Sequence, residues 1–178
     1  MLKEIEVLAS RRFLPIIGPE RGRYLAETVR KYRPVTVLEV GTLIGYSTIL
    51  IATNLPAGGR VLTIEINPGS AKRAEENIEK AGMSARVEQY VGNALQVIPD
   101  IKKELDMVFL DAAKDEYLRY LKLCEGRLRK SGVVFADNVK MFARDMADYL
   151  DYVRKSGRYR SQFIGAGSDA VEISVKVV

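Results

Sequence analysis

Four side chains stand out for the chemistry that their types and spacing allow. Val108-Phe109-Leu110-Asp111 is an apolar run ending in a carboxylate, and Lys114 follows three residues on. Val133-Val134-Phe135-Ala136-Asp137-Asn138 also ends in an acid, here followed by an amide. As neighbouring parallel strands, roughly 5 Å apart, these runs would present Asp111, Asp137 and Asn138 to one point. Two carboxylates and an amide oxygen suit a hard cation such as Mg²⁺ and leave room for water or substrate oxygens. The competing reading is that Asp137-Asn138 only ends a strand and opens a turn, which either residue does well. Two such ends side by side favour the cation.

Composition narrows the chemistry further. The 178 residues include no histidine, no tryptophan and one cysteine, Cys124. A Ser-His-Asp or Cys-His pair is therefore excluded, as is a zinc site built from Cys and His. Any metal must be held mainly by oxygens, and any general base must be Lys, Tyr, Asp or Glu. A lone cysteine points to the cytoplasm, and the acidic start Met1-Leu2-Lys3-Glu4-Ile5-Glu6 lacks the apolar block of a signal peptide. No apolar run approaches the roughly 20 residues that a membrane-spanning helix needs.

A second constellation lies earlier in the chain. The run Val37-Leu38-Glu39-Val40-Gly41 continues to Gly45-Tyr46-Ser47 with G-x-x-x-G spacing, which does not meet the G-x-G-x-x-G dinucleotide fingerprint. Glu39 just before the turn suits a cationic ligand better than a phosphate. Glu65, at the end of Thr63-Ile64-Glu65, can accept hydrogen bonds from both hydroxyls of a ribose. A plain tight turn and a solvated strand end would explain the same residues separately. Together they favour an adenosyl site with a positively charged methionine part near Glu39, which fits S-adenosylmethionine better than NAD.

The elements that must position these groups alternate along the chain. Helical patterns are expected over residues 2–12, 18–32, 46–54, 68–81, 93–103, 116–128 and 144–155. Strands are expected over 35–40, 60–65, 86–91, 107–111, 132–137, 159–164 and 170–178. Asn67 can cap the helix that starts at Pro68, and Gly82 can stop it. The near-continuous apolar strands suit a parallel sheet covered on both faces. The expected fold is α/β: a doubly wound, Rossmann-like sheet of about seven strands with an antiparallel C-terminal strand and helices on both faces. Length fits one domain over residues 1–178, with residues 1–17 a short helix in front.

In this order and spacing, VLEVGTLIGYST, LTIEINPGSA, LDMVFLDAAKDEY and GVVFADNV resemble the cation-dependent S-adenosylmethionine O-methyltransferases of the catechol and caffeoyl-CoA type. The resemblance spans about residues 18–176. It implies Asp111, Asp137 and Asn138 as Mg²⁺ ligands and Lys114 as the catalytic lysine. It implies Glu65 on the cofactor ribose, with Glu39, Gly41, Tyr46 and Ser47 around the methionine part. Ile66, Gly92, Asn93, Ala94 and Asp111 would complete the cofactor pocket. Glu172, in Asp169-Ala-Val-Glu172, resembles the glutamate that holds the second acceptor hydroxyl. The chain departs from the catechol enzymes at Ala112-Ala113, where they carry a histidine and an adenine-stacking tryptophan.

The activity implied is Mg²⁺-dependent methyl transfer to a hydroxyl of a catechol-like or vicinal-diol small molecule. A basic surplus bears on the acceptor: residues 1–34 carry eight basic against four acidic groups, while the remainder is nearly balanced. That surplus leaves open a tRNA wobble hydroxyuridine as the methyl acceptor. A non-catalytic, cofactor-binding partner protein is the alternative from another class. A homodimer is a further expectation, since a short N-terminal segment leaves one side of the sheet thinly covered.

Overall fold

A computed structural model describes residues 1–178. The chain opens with α1 (Leu2–Arg12) and α2 (Gly18–Tyr32) and then alternates strand and helix: β1 (Thr36–Val40), α3 (Tyr46–Asn54), β2 (Arg60–Glu65), α4 (Pro68–Lys80) and β3 (Val87–Val91). The second half holds α5 (Ala94–Val97), β4 (Leu105–Leu110), α6 (Tyr117–Cys124), β5 (Leu128–Ala136), α7 (Ala147–Lys155), β6 (Tyr159–Ala166) and β7 (Asp169–Lys176). One seven-stranded sheet runs in the order β3-β2-β1-β4-β5-β7-β6. The first five strands are parallel, and β7 is antiparallel to both β5 and β6. This is the expected doubly wound α/β fold.

Strand alternation sends side chains to two separate cores. Leu38, Val40, Leu62, Ile64, Val108, Leu110, Val134 and Ala136 face α5, α6 and α7. Val37, Val61, Met107, Phe109, Val133, Phe135 and Val171 face the opposite side, with α1 to α4. That parity decides where each acid at a strand end can point.

Three helices are shorter than their sequence pattern suggests. The expected helix over 93–103 is α5 followed by a 3₁₀ turn over Ile98–Asp100, because Pro99 lacks the amide proton that a continuing helix needs. The 116–128 pattern becomes a 3₁₀ turn over Lys114–Glu116 and then α6, since Leu128 already pairs with Leu105. The last, expected from residue 144, begins at Ala147 after a run of turns. The helix from Pro68 is capped as read: Asn67 Oδ1 accepts from Ser70 N–H at 2.9 Å, and Gly82 follows with φ 70°.

β1 and β4 lie side by side at the sheet centre, where the winding reverses. In such sheets ligands bind at the carboxyl ends of the strands beside that reversal. The ladder continues one residue past the strands: Gly92 N–H to Glu65 O (2.9 Å), Gly41 N–H to Ile64 O (3.0 Å), Asp111 N–H to Val40 O (2.9 Å) and Asp137 N–H to Leu110 O (3.1 Å). These bonds align the strand ends into one rim.

Candidate active site

The rim surrounds a cavity of about 280 Å³. Gly41, Tyr46, Ser47, Glu65, Ile66, Gly92, Asn93, Ala94 and Asp111 all line it, so nine of the expected cofactor residues meet in one place. Gly41 is required by the geometry. Its φ is +103°, and a Cβ there would lie 2.3 Å from the Asp111 carbonyl oxygen. The close approach of the β1 and β4 ends therefore needs a residue without a side chain.

Glu65 is 8% exposed and shapes this end of the cavity. Its Oε2 accepts from Leu43 N–H at 2.7 Å and its Oε1 from Asn67 N–H at 2.9 Å. The two bonds fix the carboxylate and leave each oxygen a free lone pair for a ligand hydroxyl. Tyr46 donates to Glu6 Oε1 at 2.6 Å, which ties α1 to the cavity wall.

Glu39 does not line the cavity, contrary to the expectation that it meets the cofactor. It shares parity with Val37 and is wholly buried beneath the rim, level with Thr63 and Phe109. Ser47 donates to its Oε1 at 2.5 Å, while Thr48 and Thr63 donate to its Oε2 at 2.5 and 2.6 Å. Burial pushes the Glu39 carboxyl up to about 7, against the lowering effect of those hydroxyls. Glu39 reaches the cavity wall only through Ser47, which does line it.

Asp111 belongs to both the cavity and a second cluster beside it. Lys114 Nζ donates to Asp111 Oδ1 at 2.7 Å and to Tyr117 Oη at 2.9 Å. The Tyr117 hydroxyl is 3.3 Å from the Asp137 carbonyl oxygen, which it faces as donor. Burial raises the Asp111 pKa, with Lys114 opposing the shift. Burial pushes Asp137 up to about 7; the Asp111 charge adds to this and Arg21 opposes it.

Asp137 is 1% exposed, and neither carboxylate oxygen has a hydrogen-bond partner. Arg21 of α2 places its Nε 2.6 Å from Asp137 Oδ1, close enough for an ion pair but off the angle of a hydrogen bond. Asn138, at φ 62°, donates its amide to Asp169 Oδ2 at 2.8 Å, so its own oxygen remains an acceptor. No three Asp, Glu or Cys side chains converge as metal ligands. A cation here would rest on the Asp111 and Asp137 carboxylates and the Asn138 amide oxygen. Hard oxygen donors, two of them buried and without a hydrogen bond, fit such an ion.

Glu172 is not brought to this cluster, which corrects the expectation for it. It pairs with Ala136 across the β5–β7 register, one residue short of Asp137 and on the α7 face. Its carboxylate is buried and clamped by Arg154 of α7, with Nε–Oε1 at 2.9 Å and Nη2–Oε2 at 2.7 Å. The β7 carboxylate beside the site is instead Asp169, which also accepts from the Met141 N–H at 2.9 Å.

Sequence reading also missed Arg21, Glu116 and Tyr120. Glu116 and Tyr120 line the cavity and are spaced i, i+4, a helical signal just after the Asp111 motif. The N-terminal basic surplus disperses instead of forming a stripe. Arg21 turns to Asp137, Arg23 packs on Tyr24, Arg30 bonds Asn54 and Lys31 sits over Tyr32. No helix is long and apolar enough to cross a membrane.

The chain as a whole, in sequence and in fold, matches a known class. Residues 1–158 match the family model described as O-methyltransferase, and the chain belongs to that family. Over 150 residues it is 41% identical to catechol O-methyltransferase of Mus musculus, covering 80% of this chain and 56% of the mouse protein. Catechol O-methyltransferase B of Danio rerio is 43% identical over 152 residues, covering 82% of this chain and 57% of the fish protein. The chain thus spans little more than half the length of these two relatives. Among solved structures, a Bacillus cereus O-methyltransferase in complex with SAH is 27% identical with a TM-score of 0.88, covering 98% of this chain and 90% of that one. An O-methyltransferase of tomaymycin synthesis from Streptomyces achromogenes, in complex with SAM, is 26% identical with a TM-score of 0.87, covering 99% and 89%.

Proposed function

We propose that this chain transfers a methyl group from S-adenosylmethionine to a hydroxyl of a catechol-like or vicinal-diol small molecule, and that the transfer depends on Mg²⁺ or a similar hard cation. The observation that carries this reading is the double position of Asp111. It lines the cavity that holds Glu65 and also belongs to the Lys114, Asp137 and Asn138 cluster. A methyl donor and a chelated acceptor would therefore meet across one residue.

Glu65 binds the ribose hydroxyls, while Gly41, Tyr46 and Ser47 surround the methionine part. Asp111, Asp137 and Asn138 hold the cation, which when bound lowers the pKa of an acceptor hydroxyl and orients its oxygen. Lys114, fixed between Asp111 and Tyr117, stabilises the acceptor's oxyanion as an ammonium, or receives the acceptor's proton once it has given up its own. Asp169 steadies the Asn138 amide. Holding both reactants in line supplies much of the rate.

The test is transfer of labelled methyl from S-adenosylmethionine to 3,4-dihydroxybenzoate, to a catechol acyl-CoA and to tRNA bearing wobble hydroxyuridine. Labelling of one dihydroxylated small molecule, with a monohydroxylated analogue at least about 100-fold slower, is the expected result. Labelling of tRNA alone, or of mono- and dihydroxylated acceptors alike, contradicts the acceptor assignment.

A further inference from the structure

The base end of the cavity is where side-chain chemistry is scarcest and most informative. With the methionine part at Tyr46 and Ser47 and the ribose at Glu65, a nucleoside base extends toward Gly92, Ala94, Ala112 and Ala113. None of these four carries a polar side chain. Asn93 has its Oδ1 committed to capping α5, where it accepts from Leu95 N–H at 2.9 Å. Besides Asn93, the polar side chains on that wall are Glu116 and Tyr120.

These two form a prepared unit. The Tyr120 hydroxyl donates to Glu116 Oε2 at 2.5 Å, and Arg119 Nη1 stands 3.1 Å from Glu116 Oε1. Glu116 is only 24% exposed, whereas Arg119 is 64% exposed and contributes little to holding it. Tyr120 is 4% exposed and packs in the core beneath, so its hydroxyl is a fixed anchor for the carboxylate. Each Glu116 oxygen has one lone pair engaged and one free. An ionised carboxylate can only accept hydrogen bonds. It therefore suits a base whose edge donates and repels one whose edge presents a carbonyl oxygen.

We propose that Glu116, anchored by Tyr120, reads the exocyclic amine of the cofactor's adenine and makes the cavity selective for adenine over 6-oxopurines. This rests on the S-adenosyl reading of the cavity. Glu116 acts as a specificity residue remote from the transferring methyl.

The test is direct binding, by calorimetry, of S-adenosylhomocysteine and of S-inosylhomocysteine, its deaminated form, to the intact protein. The wild type should bind the adenosyl compound about 10–100-fold more tightly, the range for a hydrogen bond to a charged group. In Glu116→Gln the ratio should fall to within about 3-fold, because an amide can both donate and accept. Tyr120→Phe keeps the carboxylate but loses its anchor, and should give a ratio between the two. Wild type binding both compounds equally, or Glu116→Gln keeping the wild-type ratio, overturns the base-reading role. The first of these needs no variant to fold. Failure of the wild type to bind S-adenosylhomocysteine at all would overturn the cofactor reading beneath it, so the two failures are distinguishable.

Discussion

The carboxylates at the ends of β1 and β2 differ in kind from those at the ends of β4 and β5. Glu39 and Glu65 have both oxygens engaged by neutral donors, namely three hydroxyls for one and two backbone amides for the other. Asp111 and Asp137 have charged neighbours instead, Lys114 and Arg21, and the Asp137 oxygens have no hydrogen-bond donor. Glu65, Asp111 and Asp137 stand at the ends of neighbouring strands, with Glu39 one layer beneath them, so the fold alone does not explain the contrast. A carboxylate satisfied by neutral donors is finished and can offer spare lone pairs to a sugar. A buried carboxylate left to a misaligned cation is unfinished and calls for a positive ligand. On the proposed function, one half of the rim serves a neutral, hydroxylated group and the other a cation.

The sharpest way to break this contrast is Asp137→Ala. Methyl transfer should fall by about 1,000-fold or more, since an electrostatic contact made at the reacting oxygen is removed. Affinity for S-adenosylhomocysteine, measured by calorimetry, should stay within about 3-fold. An equal loss of both would merge the two halves.

The next effect concerns stability. The Glu39 carboxyl is raised from 4.5 to about 7 in the folded protein, so the folded chain holds its proton more tightly than the unfolded one. The stability it contributes is therefore complete below pH 4.5 and is lost as pH rises toward 7. Urea denaturation of wild type should lose roughly 2–3 kcal/mol more than Glu39→Gln between pH 5 and pH 8. Equal losses in the two proteins would mean that the three hydroxyls fully compensate burial.

The smallest effect expected is that of Glu65→Ala, which removes the proposed ribose acceptor and the anchor of Leu43 N–H. Affinity for S-adenosylhomocysteine should weaken about 10–100-fold, as for loss of hydrogen bonds to a charged group. Binding of Mg²⁺ should not change. A change in Mg²⁺ affinity would show that the halves communicate.

How much of this was legible in the residues depended on whether the deciding contact was local. The Asn67 cap, the Gly82 stop and the acids closing apolar runs are local, and each stands where the pattern puts it. Which carboxylate reaches the rim is not local. Glu172 looked equivalent to a site acid until the β5–β7 register placed it opposite Ala136, facing Arg154. Glu39 sits one layer down because strand parity groups it with Val37 and Phe109, and its three hydroxyl partners come from β2 and α3. Arg21 had no signal beyond membership of a basic segment. Its meeting with Asp137 depends on α2 packing across β5, a contact between parts of the chain more than a hundred residues apart.

The central claim is that Asp111, Asp137 and Asn138 form a cation half separate from the cofactor half. Calorimetric titration of Mg²⁺ into protein saturated with S-adenosylhomocysteine tests it most directly. One Mg²⁺ should bind per chain, with binding lost in Asp137→Ala and kept in Glu65→Ala. Absence of a saturable site in the wild type, or a site untouched by Asp137→Ala, would contradict it.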